Sequence, residues 1–378
     1  SMQLTTLNTV EFQTVLSHLG QKTQTKLGQE LAQALQPSSD AKLVRERLAE
    51  TKEAVVLLER QASPPIGGLP DVRATLRRST LDAVLSGEEI VQTRLALQRV
   101  NALELFLRHH QETAPRLAAR LAEIMTFPRM EADLTKAFDE DGALLDAASA
   151  ELASSRRDIR SSQHRIKERL ETMVRSVEVQ KYLQDPIVTM RRDRYVLPVK
   201  QEYRNQVPGL IHDQSGSGAT IFVEPMAVVE LNNDLRQAEA KEKSEVERLL
   251  RLFSGKIAQA AAPLATALLK AGEIDLVFAK ARLAWAYKAV EPIVSERGLL
   301  KISEGRHPSI DPATVIPVSI EIGAGYRTLV ISGPNTGGKT VALKMTGLFA
   351  VMMQCGLFLP ARSETELPVF QNIFADID

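Results

Sequence analysis

A single cysteine, Cys355, occurs in 378 residues. No intramolecular disulfide can staple the chain, so its stability has to come from packing, as in a reducing compartment. Charge of one sign is also missing. Forty-seven Lys and Arg balance 47 Asp and Glu, so any grip on a polyanion must come from a local patch. No apolar run reaches the roughly 18 to 20 residues of a membrane span, and the first residues lack the charged-then-apolar form of a signal peptide. The expectation is a cytoplasmic protein with no membrane partner. The six histidines show no paired metal-ligand spacing, and no G-x-S-x-G marks a nucleophile elbow. Cys355 ends an apolar helical pattern and reads as core rather than nucleophile.

The length allows two or three domains. Apolar residues recur at helical spacing from Thr9 to Leu35 and from Asp40 to Arg60, where Val44, Leu48, Val55 and Leu58 form a stripe. "QPSSD" (Gln36 to Asp40) separates the two with a proline and a capping cluster, and "ASPPIGGLPD" (Ala62 to Asp71) is a loop by composition. Further helices are expected over 71–80, 86–110 and 115–125. A long helical pattern then runs from about Leu145 to Leu183. Four short, β-branched, turn-bounded segments follow, over 187–191, 194–201, 207–213 and 219–225, and read as a small antiparallel sheet. A second long helix is expected over 227–262, where Pro263 interrupts it, and another over 273–289. A long helix out, a β-tip and a long helix back make an arm. From about Gly298 the pattern changes to short strands and Gly/Pro turns. The fold class expected is mainly α and multidomain, ending in part of an α/β domain.

The sharpest chemical signal is "GPNTGGKT", Gly333 to Thr340, behind the apolar run Leu329-Val330-Ile331. It matches G-x-x-x-x-G-K-[ST] in full. Backbone N–H groups around Gly337 and Gly338 can wrap an anion, because glycine allows close approach. A helix starting near Lys339 turns its positive dipole end toward the same point. Lys339 is placed to meet the β- and γ-phosphates of ATP or ADP, and the Thr340 hydroxyl to help hold Mg²⁺. Gly333, Pro334, Asn335, Thr336, Gly337, Gly338, Lys339 and Thr340 are therefore the nucleotide candidates. His307, in "GRHP" (Gly305 to Pro308), is either a turn residue or a ring stacked on the base. Asp376 and Asp378 lack the apolar run that precedes a Mg²⁺-binding carboxylate and are not assigned that role.

A second signal lies in the arm. Six basic against two acidic residues stand between Arg156 and Arg169, and five against two between Arg191 and Arg204. Arg156, Arg157, Arg160, Arg165, Lys167, Arg191, Arg192 and Arg194 are the candidates for gripping a nucleic-acid backbone. A solvated helix face is the competing reading. Aromatics are sparse there, so stacking on single-stranded bases is not indicated. "DQSGSGA" (Asp213 to Ala219) lacks the closing Lys-Ser/Thr of a phosphate loop and reads as a hairpin loop.

Taken together, these blocks resemble the MutS superfamily of DNA-handling ATPases. "GRHP" about 26 residues before the loop, the Pro-Asn inside it, "MQCGLFLPA" (Met353 to Ala361) and "EIDLVFAKARLA" (Glu273 to Ala284) carry the resemblance. "LPDVRATLRR" (Leu69 to Arg78) and the stretch from Thr189 to Asn233 look like its bacterial type-2 branch, and the likeness covers essentially the whole chain. It implies a helical core/lever domain of residues 2–126 and 262–297. A clamp arm would span 127–261, with its β-tip at about 187–225, and 299–378 would form the first part of a P-loop ATPase domain. It implies an ATP-dependent homodimer that binds branched DNA and suppresses recombination, or acts on collided ribosomes, usually with a C-terminal nuclease module. The family continues past "FADI" into a Mg²⁺-binding carboxylate strand and a dimer-contacting loop. The expectation is that this chain, as a fragment, lacks ATP turnover, retains at most weak nucleotide affinity, and lacks the carboxylate strand and the nuclease module.

Two other readings remain at this point. One is a coiled-coil ATPase of the chromosome-maintenance or break-repair kind, although those place the phosphate loop ahead of the coil. The other is a scaffold or dimerisation piece with no activity of its own.

Overall fold

The computed structural model describes residues 10–323 and 339–373. Helices α1 (Val10–Gln21), α2 (Lys26–Gln33), α3 (Ala41–Glu59), α4 (Arg73–Thr80), α5 (Gly87–His109), α6 (Pro115–Ala118) and α7 (Pro128–Ala137) come first. Then come α8 (Ala150–Arg175) and α9 (Val177–Gln180), followed by strands β1 (Thr189–Arg191), β2 (Arg194–Lys200), β3 (Gly209–Gln214) and β4 (Thr220–Pro225). The chain continues through α10 (Met226–Ala286), β5 (Ile293–Val294), β6 (Leu300–Gly305), β7 (Val318–Ile322), α11 (Lys339–Gln354) and β8 (Glu366–Leu367). The fold is mainly α, with two small sheets. It divides into two compact units: Ser1–Leu81 with Gln92–Glu131 and Ile257–Asp378, and Asp82–Val91 with Ala132–Lys256. Helices α5 and α10 contribute residues to both.

In the first unit, residues of α1 to α3, the end of α10, β6, α11 and β8 share one core around Leu19, Val44, Leu283, Ile302 and Phe349. Asp40 caps α3 as its sequence predicts, accepting the Lys42 N–H at 3.0 Å. The single segment expected from Thr9 to Leu35 is instead two helices. Thr25 caps α2, and the carboxylate of Asp275, 0% exposed, takes the N–H groups of Gln24 and Thr25 and the Thr25 hydroxyl. An anion 250 residues away along the chain starts that helix. No local periodicity records it.

Pro263 does not interrupt α10, contrary to expectation. Its missing N–H and ring clash cost about 3 kcal/mol in an isolated helix. Ala260, Ala261, Leu264, Ala267, Leu268 and Ala271 continue one buried stripe across it, and that packing outweighs the cost. By length and composition α10 is the one described helix apolar enough to cross a membrane, but these same residues are buried against the rest of the unit. Strands begin at Ile293 rather than at about Gly298. The Ile293 and Ser295 N–H groups bond to Thr365 and Leu367 carbonyls at 2.8 Å, a long-range pairing that the local pattern cannot show. The resulting sheet runs β5-β8-β6-β7, parallel only between β5 and β8.

In the second unit the expected antiparallel tip is present, in the order β1-β2-β4-β3. Arg192 and Asp193 form the two-residue turn between β1 and β2, with φ of 51° and 62°. Alternation buries Leu197, Val199, Ile221 and Val223 against Ile166 and Leu170 of α8 and Val228 and Leu235 of α10. The long pattern expected to Leu183 ends instead at Arg175, where Ser176 leaves helical backbone and caps α9.

Candidate functional site

The loop residues Gly333 to Gly338, and Asp376 and Asp378, lie outside the described residues. Lys339 and Thr340 are the first described residues of α11. That helix is fixed by apolar packing: Met345, Leu348, Phe349, Val351, Met352 and Met353 are all buried. Gly305 of β6 sits against it, where an added Cβ would lie 3.0 Å from Met345 Sδ and Phe349 Cε2.

His307 lies in a turn and is 6% exposed. Its carbonyl accepts the Ile310 N–H at 3.2 Å and its Nδ1 accepts the Ser309 N–H at 3.2 Å. The ring proton therefore sits on Nε2 in the neutral form. Burial lowers its pKa, with Glu11 raising it and Lys344 lowering it less strongly. The ring lines a pocket of about 270 Å³ with Glu11, Thr14, Ser309, Ile310, Val341 and Lys344. Glu11 and Lys344 pair across it at 3.5 Å. The pocket adjoins the first two turns of α11, carries one charge of each sign and has apolar walls, which suits a polar heterocycle better than a bare ion. His307 is thus a turn residue whose ring also faces a pocket. Arg306 beside it, which the sequence did not single out, bonds the Tyr287 and Lys288 carbonyls at 3.1 and 3.0 Å.

The basic candidates of the arm separate into two groups. Three are half-buried and engaged within their own unit. Arg156 bonds the Leu144 carbonyl at 2.7 Å and pairs with Asp146 at 2.9 Å and Glu242 at 3.4 Å. Arg191 lies 4.1 Å from the Phe222 ring centroid and pairs with Asp213 at 3.6 Å. Arg194 is held by Glu224, whose side chain is 0% exposed. The others, Arg157, Arg160, Arg165 and Lys167 on α8 and Arg192 at the hairpin turn, are exposed, although Arg160 also pairs with Asp146 at 3.8 Å. Arg157, Arg160, His164 and Lys167 follow i, i+3, i+7, i+10 spacing, so they share one stripe about 15 Å long. Glu168, 3.8 Å from His164, borders it.

Two constellations in this unit escaped the sequence. Glu224 takes hydrogen bonds from Arg194 Nε at 2.7 Å, His212 Nε2 at 2.8 Å and Asn232 Nδ2 at 2.7 Å. A shift of register between Ile211 and Asp213 places His212 in this network. The one advance signal was a lone Glu in an otherwise apolar strand. Tyr182 and Tyr203 also meet, their ring centroids 5.2 Å apart, although 21 positions separate them. The hairpin loop expected at Asp213 to Ala219 is present, closed by Ser215 N–H to the Thr220 carbonyl at 2.8 Å. Among the described residues no group of three His, Cys, Asp or Glu side chains could hold a metal ion.

No family model matches the chain. Curated relatives do. It is 44% identical over 379 residues to endonuclease MutS2 of Geobacillus thermodenitrificans, which covers 100% of this chain and 48% of that protein. It is 45% identical over 372 residues to endonuclease MutS2 of Symbiobacterium thermophilum, covering 98% and 46%. It is 40% identical over 379 residues to the putative endonuclease MutS2 of Bacillus subtilis, covering 100% and 48%. The chain spans about half the length of the curated relatives it matches. With likeness at this level sustained through both units, the chain belongs to the MutS2 family.

Proposed function

We propose that this chain binds ATP with Mg²⁺ at Gly333 to Thr340 and grips a nucleic-acid backbone with the exposed face of α8. The observation that carries the first half is the complete phosphate-loop sequence leading straight into α11. Unsatisfied N–H groups and roughly half a positive charge gather at such a helix start. Lys339 would neutralise the β- and γ-phosphates, Thr340 would take part in holding Mg²⁺, and the His307 pocket would receive the base. Bound ATP–Mg²⁺ would supply phosphoryl-transfer chemistry; the residues of this chain bind it and orient it.

The second half rests on Arg157, Arg160, His164 and Lys167 sharing one exposed stripe, with Arg165 and Arg192 exposed as well. Phosphate spacing suits such a stripe, and no stacking is needed. Branched DNA is the partner we favour, since the relatives are named as endonucleases; suppression of recombination then follows from occupying junctions. Ribosomal RNA on collided ribosomes presents the same phosphates and is the second reading. The whole protein would act as an ATP-driven homodimer, with a core/lever domain of residues 2–126 and 262–297, a clamp of 127–261 and an ATPase domain from 299.

Titration with a fluorescent ATP analogue tests the proposal. Mg²⁺-dependent binding that is lost in Lys339→Ala supports it. Binding indifferent to that substitution, or none by the wild-type chain, removes it.

A further inference from the structure

Apolar packing holds α11 firmly but without direction. Most of its buried surface is methionine, leucine and phenylalanine, and methionine adapts to small shifts at little cost. A helix held only in that way can slide or rotate in its seat. At its C-terminal end the contacts are directional. Gly356, with φ of 84°, closes the helix in a left-handed turn, its N–H bonding the Met353 carbonyl at 2.9 Å and the Leu357 N–H bonding that of Met352 at 3.0 Å. The Gln354 carbonyl accepts from Arg47 Nη1 at 3.1 Å and from the Ser38 N–H at 3.0 Å. The Cys355 carbonyl accepts from Lys280 Nζ at 2.7 Å. The carbonyls of residues 352 to 355, which a helix end leaves open, are thus all filled, two of them by cations.

The Gln354 side chain adds bonds to the Ser38 and Phe370 carbonyls, and Thr51 Oγ1 bonds the Gly356 carbonyl at 2.7 Å. Backbones are close as well: a Cβ on Gly356 would lie 2.6 Å from Arg47 Cβ.

Lys280 is the unexpected member. It is 4% exposed, and a buried cation is expensive compared with an apolar side chain of equal length. What the charge adds over packing is a fixed position: it meets the negative end of the α11 dipole at one carbonyl. We propose that Lys280 on α10, together with Arg47 on α3, is a positioning residue for the nucleotide site. The two cations fix the far end of α11 and, through that helix, set the position of its first residues, Lys339 and Thr340. This rests on the ATP reading above.

The test uses the whole chain with labelled ATP and Mg²⁺ as probe. Lys280→Met and Arg47→Met are each compared with the wild type for thermal midpoint, for nucleotide affinity and for hydrogen exchange in the first turn of α11. The expected result is an affinity about fivefold lower or weaker still in each variant. Exchange at the helix start should be faster, with the nucleotide-free midpoint of Lys280→Met unchanged or raised. Unchanged affinity in both variants, with wild-type binding intact, overturns the inference and leaves the ATP reading standing. No binding by the wild type, or binding insensitive to Lys339→Ala, overturns both. Arg47→Met keeps the question answerable should Lys280→Met fail to fold.

Discussion

Gly28 and Asp275 form a pair whose energetics can be worked out from their contacts. The Asp275 carboxylate accepts the Gln24 N–H at 2.9 Å, the Thr25 N–H at 2.8 Å and the Thr25 hydroxyl at 2.6 Å, the last two shielded from water and the first half-buried. Charge-assisted bonds of this kind contribute about 1 to 2 kcal/mol each, the half-buried Gln24 bond less, so Asp275→Ala should cost about 3 to 4 kcal/mol. A Cβ on Gly28 would stand 2.1 Å from Asp275 Oδ2. Gly28→Ala must therefore expel the carboxylate and lose the same bonds, less about 1 kcal/mol of helix propensity gained. Its expected cost is about 2 to 3 kcal/mol. In the double variant the carboxylate is gone, only Thr25 Oγ1 at 2.8 Å still crowds the new Cβ and offsets the propensity gain, and the second substitution should add almost nothing. The magnitude of the coupling energy is then about 2 to 3 kcal/mol, read from urea unfolding followed by circular dichroism across the four proteins. Strictly additive costs would refute this account of how α2 begins.

The remaining predictions concern charge. Burial lowers the Lys280 pKa from 10.5 to about 8, with Arg47 adding to the effect. Between those values the unfolded chain holds more protons than the folded one, so stability should rise with pH across that window and stay level below it. Relative to Lys280→Met, the wild type should gain on the order of 3 kcal/mol between pH 7.5 and 10.5; a flat difference would show that the group titrates normally. Glu224→Ala strands Arg194, His212 and Asn232 around a buried gap and should cost about 3 to 5 kcal/mol by urea unfolding, Glu224→Gln distinctly less. Reversing Arg157, Arg160 and Lys167 to Glu should weaken binding to a four-way DNA junction and lower the slope of log K against log salt by about 3. An unchanged slope would place the interface elsewhere.

Much of the architecture was legible wherever the determining forces are local. The β-tip announced itself through β-branched alternation between turns, and Asp40 through its place before an amphipathic stripe. Legibility failed where a distant group decides. Pro263 reads as a stop, yet buried alanines and leucines on either side carry α10 through it. The break before α2 depends on Asp275, and β5 on a segment some 70 positions later. The arm's basic residues look alike in the sequence, but Glu224 claims Arg194, and Asp146 with Glu242 claims Arg156. Helical spacing could have separated Arg157, Arg160 and Lys167 in advance, since they recur on one face. Lys280 carried a faint signal as a single cation within "FAKA", although nothing nearby indicates the carbonyl it serves.

The most direct test of the nucleotide site is a calorimetric titration of ATP with Mg²⁺ into the wild-type chain and into Lys339→Ala, both checked for equal helix content. The account predicts one saturable site per wild-type chain, weakened at least about tenfold by the substitution, as loss of a phosphate-bound cation implies. Equal heats and equal affinities in the two proteins would contradict it.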